Sequence, residues 1–289
     1  MNCRPLQLAS LRSRARAFSL IEILVVVALL SVIILGLVLM FDQTQRAFRA
    51  GMTQTDVLEG GRAATELIAR ELSQMTPAND VNARSFQAWT PYYSYLEQGL
   101  PGNSPLVART NVLERLYFLT RENQTLKAIG YAFDDSEYAG GVGTLYRFEG
   151  EMQTITNSNP EILFMRFTNT FSNVKANSRV IDGVVTFKVR TYSTNGTWIS
   201  SNLGNNIYAT TTNSPSPGEV WFYQFNGSAV PAYVEVELGV LEQRVLKKAD
   251  SLPTTGTNPR REYLKKQAAH VHVFRLRVPI RNVNTAAYQ

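Results

Sequence analysis

The apolar residues of the chain are unevenly spread. Residues 23–41 read ILVVVALLSVIILGLVLMF, without a charge or a proline. About 20 apolar residues in a helix span the hydrocarbon core of a bilayer. Only a helix satisfies every backbone group there without a partner strand. The run therefore predicts a membrane-crossing helix. Helical spacing continues past it: Ala64, Ile68, Leu72 and Met75 recur among Arg62, Glu66, Arg70 and Glu71, with Asp56 and Leu58 on a weaker upstream stretch, until Pro77 ends the pattern. One nearly continuous helix from Phe18 to about Met75 would be roughly 85 Å long at 1.5 Å per residue. Its first half is apolar all round. Its second half carries an apolar stripe that a globular domain must cover, which makes that stripe core packing and not a cofactor site. Gly51, Gly60 and Gly61 are expected as bends or breaks.

Residues 77–110 are rich in Pro, Asn, Ser and Gly and carry Phe86, Trp89, Tyr92, Tyr93 and Tyr95. They are expected to form an irregular loop pinned down by its rings. Beyond residue 111 the pattern changes to short runs rich in Val, Phe and Tyr. Strands are predicted at 113–119, 128–133, 144–148, 162–167, 183–192, 220–225, 233–238 and 271–280. Val185 to Arg190 and Val234 to Leu238 alternate apolar and polar residues, as a sheet with one buried face requires, and this favours antiparallel pairing. Residues 193–219 read as a long polar loop ending in Pro215 and Pro217, with helices expected near 241–249 and 259–268. The fold class is thus α+β: a long N-terminal helix, membrane-spanning in its first half, packed on a C-terminal domain of mainly antiparallel β-sheet. The expected divisions are a basic leader at 1–17, the transmembrane helix at 18–41, its amphipathic continuation at 42–76, the irregular segment at 77–110 and a β-rich domain at 111–289.

Charge changes this picture only at the N-terminus. The chain has 29 basic and 23 acidic side chains, for a net charge of +6. Arg4, Arg12, Arg14 and Arg16 all precede Phe18; setting those four aside leaves 25 basic against 23 acidic. The basic balance is therefore largely a leader property and weak support for nucleic-acid binding. The single cysteine, Cys3, also lies in the leader, so a chain starting at Phe18 could form no disulfide. By the positive-inside bias, residues 1–17 are expected in the cytoplasm and the remainder outside.

An ordinary cleaved signal peptide has a shorter apolar core and a small-residue cleavage site, which Met40-Phe41-Asp42 does not provide. A plain signal anchor fits the length and orientation but leaves Glu22 unexplained. A carboxylate at the start of a spanning helix is costly. The run Arg16-Ala17-Phe18-Ser19-Leu20-Ile21-Glu22, followed at once by the apolar block, resembles the class III signal of type IV prepilins and type II secretion pseudopilins. That resemblance implies a pilin-like fold, cleavage of the Ala17–Phe18 bond by prepilin peptidase, methylation of Phe18, and a role for Glu22 in filament assembly. The family usually has glycine where this chain has Ala17. The resemblance also implies that Glu22 pairs with the amino terminus of a neighbouring subunit and so sets axial register. The implied partners are prepilin peptidase, other pilin or pseudopilin subunits, the lipid bilayer and an inner-membrane assembly platform. Nucleic acid is not expected unless the chain is a DNA-uptake pilin. The implied location is the bacterial inner membrane, single-pass, with the C-terminal domain in the periplasm and later in a filament.

Two further stretches resemble J-type minor pseudopilins. One is the order Asp182-Gly183-Val184, Arg190, Gly196-Thr197-Trp198 and Val230-Pro231-Ala232-Tyr233-Val234-Glu235-Val236. The other is the helical segment Arg62, Leu67, Arg70-Glu71-Leu72 and Gln74. The stretch 240–269 and the ending Phe274 to Ile280 depart from that type and suggest a divergent branch.

No catalytic constellation is legible, so the chain is not expected to be an enzyme and no cofactor is expected. His270 and His272, spaced by two, would share one face of a strand, but no further ligands accompany them, and no metal site is expected. Gly140-Gly141-Val142-Gly143 lacks the Lys-Ser/Thr of a phosphate loop and reads as a hairpin turn. Between Arg244 and Arg281 basic residues are dense. A solvated face is the default reading, and an acidic subunit, anionic lipid or DNA is the functional alternative. Two roles remain in view: a structural minor pilin or pseudopilin, and a filament-tip adhesin or DNA-uptake binding pilin.

Overall fold

A computed structural model describes residues 19–91, 95–99, 108–153, 159–211, 219–253 and 258–288. Ala17, Phe18, Cys3, the leader arginines, Tyr92, Tyr93, Pro215 and Pro217 lie outside the described residues. The chain divides into two compact units, Met1–Met52 and Thr53–Gln289.

In the first unit the helix α1 (Leu20–Leu72) begins, and it is long and apolar enough to cross a membrane. Its large apolar side chains between Leu20 and Phe41 are 49% to 82% exposed. Among the described residues no surface covers them, so lipid is the environment that suits them. Several of the polar groups are satisfied within the helix. Ser31 donates to the Val27 carbonyl at 2.8 Å, and Thr44 to the Met40 carbonyl at 2.8 Å. Arg46 pairs with Asp42 at 2.6 Å, where the polar part of the sequence resumes.

The second unit holds the end of α1 and a nine-stranded sheet. Its strands are β1 (Arg84–Trp89), β4 (Arg115–Glu122), β5 (Thr125–Ala132), β6 (Gly143–Gln153), β7 (Ser178–Tyr192), β8 (Ile207–Thr210), β9 (Phe222–Asn226), β10 (Tyr233–Leu241) and β11 (Val271–Pro279). They are ordered β11-β10-β7-β6-β5-β4-β1-β9-β8, and every adjacent pair is antiparallel. A separate two-stranded ribbon joins β2 (Leu96–Gly99) and β3 (Ala108–Asn111). The α+β layout read from the sequence is the one found. In β10, Val234, Val236, Leu238 and Val240 are buried, while Tyr233, Glu235 and Glu237 face outward.

The sheet packs its inner face on α1. Ile68, Leu72 and Met75 are fully buried in one cluster with Phe86, Leu116, Phe118, Phe187 and Val236. Of the bends or breaks expected at Gly51, Gly60 and Gly61, no break occurs: all three lie within α1. Gly61 serves close approach: a Cβ there would lie 2.1 Å from the ring of Phe274, whereas one on Gly60 would meet only Ile181, at 3.6 Å. Replacing Gly61 with Leu is therefore expected to destabilise the folded domain by about 1–3 kcal/mol through overpacking. Gly60→Ala should be neutral or stabilising by up to about 1 kcal/mol, since alanine favours the helix. Thermal melts of both full-length variants in detergent check the contrast.

The outer face is partly covered as well. Residues 162–167, expected as a strand, form the helix α3 (Glu161–Asn169) instead. The run Ile-Leu-Phe-Met-Arg-Phe suits either period, and the caps decide: Asn159 accepts from the Glu161 amide at 2.9 Å, and Leu163, Phe164 and Phe167 line the buried face. Arg84 ties β1 to this helix through Glu161 at 2.6 Å and lies 4.1 Å from the Phe164 ring centroid.

Residues 77–110, expected to be irregular, contain β1, β2 and β3, and the sheet therefore draws on residues before 111. β8 likewise interrupts the expected loop at 193–219. The glycine cluster at 140–143 is no hairpin. It closes a short helix, α2 (Asp135–Gly140), whose capping box is Asp134 with Glu137 and whose C-cap Gly141 has φ 72°. The helices α4 (Gln243–Asp250) and α5 (Pro259–Lys265) fall where expected. The C-terminal segment returns to the core: Asn282 donates to the Met75 carbonyl at 2.9 Å, and the Tyr288 hydroxyl to the Val230 carbonyl at 2.7 Å.

Candidate functional site

The start of α1 is built from Ser19 and Glu22. Their spacing is that of a capping box, and one half of it forms: the Glu22 amide donates to the Ser19 hydroxyl at 3.3 Å and to the Ser19 carbonyl at 3.0 Å. The Glu22 carboxylate has no hydrogen-bond or ionic partner among the described residues. It sits at the head of an apolar helix, where a carboxylate is costly in lipid without a cation beside it. Ala17 and Phe18, its expected neighbours in function, lie outside the described residues.

Four basic side chains of the dense stretch sit in ion pairs. Arg244 meets Glu242 at 2.9 Å, Arg260 meets Asp250 at 2.8 Å, and Lys265 meets Glu262 at 2.6 Å. Arg275 pairs with Glu237, Arg261 donates to the Tyr95 carbonyl, and Lys248 lies over the Tyr263 ring. Exposed pairs of this kind contribute little stability each, but they neutralise much of the positive patch that the sequence suggested.

His270 and His272 converge on a carboxylate that sequence spacing did not reveal. Glu242 Oε1 lies 3.3 Å from His270 Nδ1 and 3.5 Å from His272 Nε2. Burial raises the Glu242 pKa, but hydrogen bonds from His270 and Arg244 outweigh it and hold the carboxyl below its usual range. His270 belongs to a 3-10 turn and His272 to β11, so the two rings are brought together by a change of element. Among the described residues no group of three His, Cys, Asp or Glu side chains is arranged to hold a metal ion.

A second unforeseen carboxyl is Glu114, which is 2% exposed. Its Oε2 accepts from the Val189 amide at 2.7 Å, and its own amide donates to the Phe187 carbonyl at 2.9 Å, so it closes part of β7 left free where β6 ends. Burial pushes its pKa up to about 8, against the Val189 hydrogen bond and the positive charge of Lys188. A carboxyl whose pKa rises on folding, from 4.5 to about 8, gives its full stability at low pH and loses it progressively between those values. Glu114→Gln should flatten this slope and gain on the order of 2 kcal/mol relative to wild type near pH 8. Urea titrations at pH 5 and pH 8 check the sign.

With this geometry in place, the comparisons bear on the N-terminal site. The family model of the prokaryotic N-terminal methylation motif matches residues 12–38. The match spans the end of the leader, Phe18, Glu22 and most of the apolar run, and it supports a type IV pilin-like N-terminus. No curated protein matches the chain.

Proposed function

We propose that this chain is a minor pilin or pseudopilin, a structural subunit of a type II secretion pseudopilus or type IV pilus-like filament. Prepilin peptidase cuts the Ala17–Phe18 bond on the cytoplasmic side of the inner membrane and methylates Phe18. The helix holds the chain in the bilayer with the sheet domain in the periplasm. The assembly platform then lifts the subunit into a filament beside other subunits. The position of the Glu22 carboxylate carries this reading: it stands at the head of the apolar helix, with no partner among the described residues. Cleavage creates a cationic amine four residues before it, and the amine of an adjacent subunit supplies the counter-charge that lipid cannot. Within this class, the order of motifs from Asp182 to Val236 favours a divergent J-type minor pseudopilin.

An adhesive tip or a DNA-binding uptake pilin is the other reading. The ion pairing of Arg244, Arg260 and Lys265 weighs against it, because those cations are already engaged. The test is a host that lacks prepilin peptidase. The protein should then keep residues 1–17, stay in the membrane fraction and be absent from sheared filaments. Its presence in filaments with the leader intact would refute the proposal.

A further inference from the structure

β11 ends the nine-stranded sheet, and among the described residues no strand pairs with its outer edge. The Ile280 amide donates to the Ala232 carbonyl at 2.9 Å, and the His270 carbonyl accepts from the Glu242 amide at 3.0 Å. Both are even-numbered positions flanking β11, so even residues turn their backbone groups to β10. By the two-residue period of a strand, Val273, Arg275 and Arg277 turn theirs outward, and Pro279, which has no N–H, closes the row. The opposite edge, β8, is only four residues long. β11 is thus the longer free edge, and its exposed side chains include Val273, Arg275 and Arg277.

The outer face carries charges in rows that cross the strands. In one row Arg190, Glu235 and Arg277 stand opposite one another on β7, β10 and β11, and in the next stand Lys188, Glu237 and Arg275. Glu219 supports the far end of both rows, with Lys188 at 2.6 Å and Arg190 at 2.9 Å. Read outward, each row alternates negative, positive, negative, positive and stops at the edge. The next strand would continue the alternation with two acidic residues spaced by two. Arg277 makes no ion pair among the described residues. It lies on the rings of Tyr192 and Tyr233, 3.8 Å and 4.7 Å from their centroids. Pairing of β11 with a second β11 would set arginines against arginines, so the edge disfavours a copy of itself.

We propose that the β11 edge accepts an extended segment of a different protein by strand addition, and that the segment carries acidic residues at alternate positions opposite Arg275 and Arg277. Main-chain hydrogen bonds would give the affinity and the two arginines the choice of partner. The inference stands on the sheet domain alone and does not require the filament reading.

The test is residue-resolved hydrogen–deuterium exchange on the full chain in detergent micelles. The probe is the synthetic peptide acetyl-Thr-Val-Glu-Val-Glu-Val-Thr-amide, and the control peptide has Lys in place of both Glu. The Glu peptide is expected to slow exchange at the amides of Val273, Arg275 and Arg277 by at least about tenfold, while leaving β8 unchanged. The Lys peptide should do nothing. Arg277→Glu, which removes an arginine without breaking an ion pair among the described residues, should weaken the Glu peptide's protection by at least about tenfold. Equal protection by both peptides, or none from either, would overturn the proposal. So would protection that grows with protein concentration alone, because a second copy would then occupy the edge.

Discussion

Cells expressing the Glu22→Ala chain are expected to insert it into the membrane at least as well as wild type, yet to release at least about tenfold less of it in sheared filaments. The two effects have opposite signs for one reason. Removing a carboxylate from the head of an apolar helix lightens the cost of insertion. On the proposed pairing it also leaves the neighbour's amine without its counter-charge in lipid, and breaking a buried pair costs about 3–5 kcal/mol. Glu22→Asp keeps the charge but shortens the reach, so it should fall between the two. Quantitative immunoblots of membrane and sheared fractions read both effects. Wild-type incorporation of the alanine variant would remove the role given to Glu22, and loss of insertion would make Glu22 a folding or targeting residue instead.

Gly130→Val should be the most damaging single change in the sheet domain, destabilising it by about 3 kcal/mol or more. A Cβ at Gly130 would lie 2.3 Å from the ring of Phe167, which is fully buried. Phe167 cannot move aside freely, because Tyr117, Phe148 and Phe171 pack on it with ring centroids 5.6, 5.5 and 5.0 Å away. Removing the obstructing ring should recover part of the loss. Gly130→Val combined with Phe167→Ala is expected to cost clearly less than the sum of the two single changes, the coupling that residues in contact show. Denaturation midpoints of the three variants decide the point, and strict additivity would mean that the clash is relieved elsewhere.

The parts of the fold that could be read from the sequence are those where one solvent or one period governs every residue. Lipid demands an unbroken apolar run, and α1 displays one from Ile23 to Phe41. β10 alternates because one face meets the core and the other meets water. β1 could not be read this way. Its four central residues, Ser85, Phe86, Gln87 and Ala88, are all buried, so no alternation survives. Ser85 is tolerated there because it donates to the Gly227 carbonyl at 2.7 Å and accepts from the Ala78 amide at 3.0 Å, and Gly227 lies 142 residues away in the chain. α3 was hidden by an apolar run that fits either period, although Asn159 ahead of it was a usable capping signal. α2 also left a sign, the spacing of Asp134 and Glu137 followed by Gly141.

The candidate sites divide in the same way. Glu22 stood out because a charge in an apolar stretch is conspicuous without any structure. The meeting of Glu242 with His270 and His272, and the closure of β7 by Glu114, depend on contacts between elements distant in sequence. No local spacing encodes them. The basic stretch was read by default as a solvated face, with binding as the alternative; what local spacing could not supply was the carboxylate partners, Glu237 among them.

Mass spectrometry of the amino terminus, on protein extracted from the membranes of its own cells, bears most directly on whether Glu22 meets a processed neighbour. The expected product begins at Phe18, lacks residues 1–17 and carries one methyl group on its α-amine. A protein that works in its filament while still beginning at Met1 would contradict the account, since no liberated amine would then exist for Glu22 to meet.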